Sequence, residues 1–297
     1  MKRRLTSLTG LVVLGAAAGW LITAPQPLGA DAVATGPGDD ARGARIFHIG
    51  GCASCHAAKG AKGDARRRLG GGAALVTPFG AFQPPNISPG SDGIGGWSLA
   101  DFDNAMRRGI APDGRHYYPA FPYTSYARMQ ATDVADLFAY LKSLPAVAGA
   151  APENSIGFPF NIRRGIGLWK RLYLNDKPVV QLPANAPTAA RAGQYLVEGP
   201  GHCGECHTPR DGFGGPNPDK WLAGGPDAEG KGKVPGITPA SLAWSAAEIA
   251  DYLKTGFTPD YDSVGGSMVE VQANLAQLPD ADRAAIAAYL KAVPKGK

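Results

Sequence analysis

Two five-residue strings carry the chemistry of this chain: CASCH from Cys52 to His56, and CGECH from Cys203 to His207. Each sets two thiols three positions apart with a histidine directly behind them. That order suits two thioethers to the vinyl groups of one haem, made by Cys52 and Cys55 or by Cys203 and Cys206. His56 or His207 then reaches the iron from the proximal face. All four cysteines of the chain are used in this way, so none remains for a disulfide. A C-x-x-C pair also serves zinc ribbons and thioredoxin-like sites. A zinc ribbon sets its two pairs roughly 15–20 residues apart, whereas these lie one in each half. A thioredoxin motif needs a βαβ setting, which this sequence lacks. The expectation is two covalently attached haem c groups.

The elements that position these strings occur twice. Trp97-Ser98, Phe102, Gly109, Pro112 and Asp113 recur as Trp244-Ser245, Ile249, Gly256, Pro259 and Asp260, always 147 residues later. Ala139-Tyr140-Leu141-Lys142 recurs as Ala288-Tyr289-Leu290-Lys291 at an offset of 149, and the cysteines recur at 151. Each unit is about 110 residues, an ordinary domain size. The expected division is residues 1–34 as signal peptide or membrane anchor, 38–147 and 188–297 as the two units, and 148–187 as a strap between them.

Val134, Leu137, Phe138 and Leu141 fall on one helical face that ends at Pro145. Asp133 near the start suits the helix dipole. Ile286, Ala287 and Leu290 repeat the pattern before Pro294. The stretches Leu99–Arg108 and Ala246–Thr255 read as helices stopped by Gly109 and Gly256. A further helix precedes each cysteine string, around Gly43–Ile49 and Ala190–Val197. Gly70–Gly72 and Pro78–Gly96 read as Gly/Pro-rich loops. The strap contains FPFNIRRGIGLWKRLYL, from Phe158 to Leu174, too aromatic for a free linker. It is expected to pack on both units and fix the haem–haem geometry. The sharper alternative is a docking surface for a partner or the membrane face.

An electron-transfer haem c takes Met or His as its sixth ligand. The chain has Met1, Met106, Met129 and Met268, and outside the two strings His48, His116 and His202. Met268 lies in the glycine-flexed GGSMVEV ahead of the last helix and is expected on the second iron. Shifted back by 147, its place holds Phe121. Met106 aligns with Leu253 inside a helix and reads as core. Met129 aligns with Leu278, which also suggests core. However, Phe121–Asp133 is two residues shorter than Met268–Asp282, and such a loop could bring Met129 over the iron. Met129 leads, with His116 and an open site as alternatives. His48 and His202 read as facing solvent or a propionate.

The chain opens MKRR and runs apolar from Leu8 to about Ala24. That is a charged start and an apolar core, followed by an A-x-A-like string at Ala30-Asp31-Ala32. The run approaches the roughly 17 residues that just span a bilayer, so a retained anchor competes with a cleaved signal. The positive end stays cytoplasmic and the remainder is exported. The net charge of +5 falls by two if residues 1–32 are removed. No basic block or aromatic–basic stripe points to nucleic acid. With 44% apolar residues and low charge the chain is globular, and 41 glycines and 26 prolines make it rich in loops.

These residues resemble the bacterial diheme c-type cytochromes related to the cytochrome c subunits of membrane-bound alcohol and gluconate dehydrogenases. The resemblance covers nearly the whole chain after the leader. It is carried by CASCH, PPNISP at Pro84–Pro89, GIGGWS at Gly93–Ser98, DGRHYYPAFPYTSY at Asp113–Tyr126, EGPGHCGECHTPR at Glu198–Arg210, and the Met268 loop. It implies an all-α, loop-rich fold of two tandem class I-like cytochrome c domains behind an N-terminal signal or anchor helix. It implies a periplasmic electron relay, with a dehydrogenase as donor and quinone, another cytochrome or a terminal oxidase as acceptor. Two departures stand out. Those subunits commonly carry three haem strings, and commonly have Met in a PAMPY-like string where this chain has Phe121. The second departure motivates an alternative function, a diheme enzyme of peroxidase or thiosulfate dehydrogenase type. An open first haem would then lie under Phe121, with Arg115 or His116 for acid–base or anion contacts. A gas-binding sensor is a third class, weakened by the lack of a signalling domain.

Overall fold

The computed structural model describes residues 14–15 and 17–294. In chain order the helices are α1 (Asp40–Ile49), α2 (Cys52–His56), α3 (Leu99–Arg108), α4 (Tyr123–Tyr126), α5 (Ala131–Ser143), α6 (Ile166–Tyr173), α7 (Thr188–Glu198), α8 (Gly204–His207), α9 (Ala246–Thr255), α10 (Met268–Leu275) and α11 (Asp280–Ala292). The chain is largely helical, and the helices read from the sequence form where expected.

Local chemistry sets their ends. Ser98 and Asp101 cap α3 reciprocally, and Ser245 and Glu248 do the same for α9, each pair satisfying two otherwise orphaned backbone donors. Both helices stop at a glycine in the left-handed region, Gly109 at φ 60° and Gly256 at φ 79°, where a side chain would be strained. Asp39 caps α1 by accepting from Arg42 N at 2.8 Å.

The core of each half is a helix crossing. α1 packs on α5, and α7 packs on α11. Glycine permits the close approach: a β-carbon on Gly43 would strike the carbonyl oxygen of Asp136, and one on Gly193 that of Ala285. Ile46, Phe47, Val134, Leu137 and Leu141 fill the first crossing, and Leu196, Val197, Ile286, Ala287 and Leu290 the second. The aliphatic positions read from the period are therefore buried, while Phe138 is half-buried and stacks on Phe102 at 5.0 Å.

The loop reading of Pro78–Gly96 needs one correction. Residues 75–82 form a hairpin, β1 (Leu75–Thr77) with β2 (Gly80–Phe82), and β3 (Ser155–Ile156) from the strap adds a third antiparallel strand. Thr77 closes the turn, donating from Oγ1 to Gly80 O and accepting from Phe79 N, both at 3.1 Å. A second pair joins β4 (Gly225–Pro226) to β5 (Lys233–Val234). Strands of two or three residues are too short for an alternating pattern to register in sequence.

The strap touches both halves. Lys170 on α6 is buried. Its Nζ donates to Arg108 O at 2.6 Å and Gly109 O at 2.7 Å, carbonyls at the end of α3. Burial pushes the ammonium down to about 7. On the other side, Trp169 Nε1 donates to Phe213 O at 3.0 Å and Tyr173 OH to Asp211 at 2.7 Å.

Residues 17–22 are helical, and the chain then runs along α3. Leu28 N donates to Asn104 Oδ1 at 2.8 Å, Arg107 Nη2 to Ala32 O at 2.6 Å and Arg108 Nε to Gln26 O at 3.1 Å. The A-x-A-like string forms a 3₁₀ turn, Ala30–Ala32, within this docked stretch. Among the described residues no helix is long and apolar enough to cross a membrane. Part of the leader, residues 1–13 and 16, lies outside the described residues.

The glycine crossings give a direct expectation. Gly193→Ala drives a methyl into the Ala285 carbonyl and costs about 1–3 kcal/mol by overpacking. Gly96→Ala, at a position with open space, stays within about 0.5 kcal/mol. Thermal unfolding followed by circular dichroism distinguishes the two. Equal melting temperatures would refute the close crossing.

Candidate functional site

Each cysteine string is folded into a short helix that starts from left-handed backbone. Gly51 at φ 57° precedes α2, and His202 at φ 38° precedes Cys203. A glycine takes this conformation freely, whereas a histidine takes it at a cost. The His202 ring has its own partners: Nε2 lies 3.1 Å from Gly50 O, and the ring meets Tyr126 edge-on at 5.6 Å.

The two motif histidines have the same environment. His56 Nδ1 lies 2.8 Å from Pro85 O, and His207 Nδ1 lies 2.8 Å from Pro235 O. A carbonyl only accepts, so Nδ1 carries the proton and Nε2 keeps its lone pair. Burial pushes both imidazoles below their usual pKa, which favours the neutral ring. The same backbone frame holds each motif to its proline loop. Gly71 N donates to His56 O and Ile87 N to Leu69 O, both at 2.9 Å. In the second half Gly224 N donates to His207 O at 2.6 Å and Ile237 N to Leu222 O at 2.9 Å. Leu69 and Leu222 are fully buried anchors of this frame.

These residues fit a covalently held haem. All four cysteines are free thiols. Burial pushes Cys52 and Cys203 up to about 12, so they rest as thiols and not as metal-seeking thiolates. Each histidine presents an unprotonated nitrogen whose partner nitrogen is tied back, the arrangement that orients a metal ligand. Beside Cys52 a small apolar cavity is lined by Ile46, Met106, Tyr126, Met129 and Leu137. Near the first motif, His48 Nδ1 and Arg66 Nη2 are buried with no protein partner. They leave donor capacity for an acidic group there.

The two motif helices are locked to opposite halves by matched pairs of contacts. Ser54 and Glu205 hold the same motif position, offset 151, and Ser125 and Asn274 correspond at offset 149. Glu205 Oε1 of the second half accepts from Thr124 at 2.8 Å and Ser125 at 2.9 Å of the first. Asn274 Nδ2 of the second half donates to Ser54 Oγ of the first at 2.9 Å. A second matched pair repeats the exchange. Arg45 binds Asp282 through two bonds, of 2.6 and 2.9 Å, and Tyr195 OH donates to Asp133. Contacts that swap in this way mark an approximate two-fold relation between the halves.

Glu205 is the charged member of the first matched pair, its side chain 12% exposed. Burial opposes its ionisation. Arg210 at 2.5 Å, with the Thr124 and Ser125 hydroxyls, outweighs that and holds the carboxyl below its usual range.

The candidate sixth ligands fall in different settings. Met268 opens α10 beside Gly265-Gly266 and is half-buried against the core. Phe121, its counterpart, lies among aromatic rings, 5.8 Å from Tyr117 and 5.6 Å from Tyr126. Met129 is 3% exposed and Leu278, its counterpart, 4%. Met129 shares the cavity beside Cys52. His116 has both nitrogens engaged, Nε2 with Thr23 O at 2.9 Å and Nδ1 with Lys170 Nζ at 3.1 Å. Met106 is buried in α3. His202, read from sequence as facing solvent or a propionate, instead faces the first half's backbone. The seam residues Ser54, Glu205, Ser125 and Asn274 escape a sequence reading. Their only trace there is that they fall at equal offsets.

A family model for cytochrome c matches residues 41–145. The chain is 54% identical to a diheme cytochrome c-type protein of Cereibacter sphaeroides, over 99% of each chain. It is 37% identical to the fructose dehydrogenase cytochrome subunit of Gluconobacter japonicus over 85% of this chain and 52% of that one. It is also 37% identical to the alcohol dehydrogenase (quinone) cytochrome c subunit of Gluconacetobacter polyoxogenes, over 85% and 55%. The chain thus spans about half the length of these two dehydrogenase subunits.

The seam supplies an expected outcome with a sign. Glu205→Ala strands two hydroxyls and Arg210, and costs about 1–3 kcal/mol at pH 7. Because the folded carboxyl is held below its usual value of 4.5, its contribution is complete above that pH and is lost as pH falls through the folded value. Chemical denaturation of both proteins across pH should show the gap closing in acid. A gap that is constant with pH would rule out a charged Glu205.

Proposed function

Since this chain belongs to the diheme c-type cytochromes, relatives of the cytochrome c subunits of dehydrogenases, we propose that it relays electrons between two covalently attached haem c groups. One haem belongs to each of two tandem class I-like units, residues 38–147 and 188–297. The observation that carries this reading is the interlocked seam. It ties each motif helix to the opposite half, through Glu205 with Thr124 and Ser125, and through Ser54 with Asn274. Haem c supplies an iron that takes up and gives back one electron at a time. The chain supplies the rest. Cys52 and Cys55 hold one group, Cys203 and Cys206 the other. His56 and His207 offer Nε2 to the irons because Pro85 and Pro235 occupy Nδ1. Met268 would serve the second iron from a loop its glycines let bend. Met129 would serve the first, since both nitrogens of His116 are already engaged. A shared rigid seam keeps the two redox groups at one separation, as a relay requires.

By likeness to the subunits it resembles, the donor is a dehydrogenase on the same membrane, and the acceptor is quinone, another cytochrome or a terminal oxidase. The proposed setting is the periplasmic side of the inner membrane, reached through the leader. Residues 23–32 are bonded to α3 and to His116, which favours a leader kept as an anchor over one cut at Ala30–Ala32. A second reading rests on Phe121. An aromatic ring in the place of Met268 suits an open first iron in a dry pocket, and so an enzyme acting on a small molecule.

Carbon monoxide counted per chain on the reduced, haem-loaded protein separates the two. The relay binds none in its native form. Met268→Ala opens one site and changes the spectrum and potential of one haem only. One CO bound by the native protein, and altered by changes at Phe121 or Met129, would favour the enzyme. A response of both haems or of neither to Met268→Ala would refute that ligand. Intact mass after loading is expected to show two haems, falling to one when Cys52 and Cys55 are both replaced by alanine.

A further inference from the structure

The strap carries more exposed apolar surface than a spacer needs. Phe158 is 82% exposed, Leu168 52% and Leu172 66%, with Phe160 and Ile162 exposed beside them. Isolated exposed apolar residues need no explanation, but a contiguous patch does. α6 shows that this patch is continuous with the end of the leader. At 100° per residue, Gly167, Arg171, Leu168 and Leu172 follow one another around one arc of the helix, and Arg164 sits in the 3₁₀ turn just before it. Gly167, Arg171 and Arg164 grip the leader. A β-carbon on Gly167 would strike the Thr23 carbonyl. Arg171 Nε donates to Ile22 O at 3.2 Å. Arg164 donates to Trp20 O at 2.7 Å and stacks over the Trp20 ring at 3.9 Å. Leu168 and Leu172 complete the arc beside Trp20, Leu21 and Ile22, which are themselves exposed. The opposite arc, with Trp169, Lys170 and Tyr173, holds the fold through Phe213, the end of α3 and Asp211.

The charge is one-sided as well. From Phe158 to Leu174 the chain has no acidic residue, and besides the buried Lys170 it has Arg163, Arg164 and Arg171. Asp113 and Asp211 are already bonded, Asp113 to Arg115 and Asp211 to Tyr173. Large aromatic and aliphatic side chains, flanking arginines and an adjoining apolar leader are what an anionic lipid surface binds. We infer that the strap is a second membrane contact, a foot that seats the protein on anionic phospholipid beside its N-terminal anchor. The foot rests on the anchored reading above and adds to it. A tether alone leaves a protein free to swing, whereas a foot next to the tether fixes which face points at the bilayer.

The test uses the full-length, haem-loaded protein in nanodiscs of phosphatidylcholine with phosphatidylglycerol, in discs of phosphatidylcholine alone, and in detergent. Hydrogen–deuterium exchange is read on peptides covering residues 158–172. The foot predicts exchange there slowed by about fivefold or more in the anionic discs relative to detergent, with residues 131–143 unchanged. Leu168→Ser with Leu172→Ser, two exposed positions, abolishes the slowing without changing exchange in 131–143. Protein that enters the discs while the strap exchanges as in detergent overturns the foot and leaves the anchor standing. Failure to enter the discs overturns both. Equal slowing in uncharged discs overturns the anionic preference. Slowing that appears only when a donor dehydrogenase is added assigns the patch to a protein partner and overturns the lipid assignment.

Discussion

A histidine can present a fixed lone pair only if its other nitrogen is held. In this chain that holder is a proline carbonyl, 2.8 Å from His56 and 2.8 Å from His207. Much of each half serves that bond. The proline loop is held by a buried leucine, Leu69 or Leu222, through the following isoleucine. The motif helix is held by a glycine N–H on its last carbonyl. The helix crossings at Gly43 and Gly193 close behind it. Orientation of a ligand by its surroundings is what separates a built site from a fortuitous spacing of residues.

The approximate two-fold relation is kept in backbone and packing, and broken in chemistry. Gly43 and Gly193, Leu69 and Leu222, and Gly109 and Gly256 do the same work in both halves. Ser54 against Glu205, and Phe121 against Met268, do not. Nor do His48 and Glu198, which correspond on α1 and α7. Glu198 is buried and accepts from Val179 N, Val180 N, Gln194 and Tyr289, so it ties the end of the strap to the second half. His48 has a buried nitrogen with no protein partner. Duplicated packing with divergent polar groups gives two sites of similar shape and different electrostatics. An electron relay can use that difference to set two unequal potentials.

The strap joins these levels. One arc of α6 spends Lys170 on the carbonyls that end α3, and its Trp169 and Tyr173 reach the loop at residues 211–213. The other arc takes hold of the leader. A single eight-residue helix therefore sets both the relation of the halves and the direction in which the protein meets whatever its apolar edge contacts.

The motifs, the repeat and the helices were legible in the sequence because each rests on local chemistry. A C-x-x-C-H order needs no fold to be read. A glycine that stops a helix acts within one turn. The short strands were not legible, since Leu75–Thr77 and its partners hold too few residues to alternate. The bonds of His116 to Thr23 and Lys170 were not legible either, because its partners lie 93 and 54 residues away in the chain. The seam is of the same kind. Glu205 is an ordinary exposed-type residue until Thr124, Ser125 and Arg210 close around it. Sequence alone named the candidates for attaching and ligating a haem, since that depends on side-chain type and spacing. Only the tertiary structure decided which nitrogens are free, which carboxyl is charged and how the two halves meet, because those follow from contacts between residues far apart in the chain.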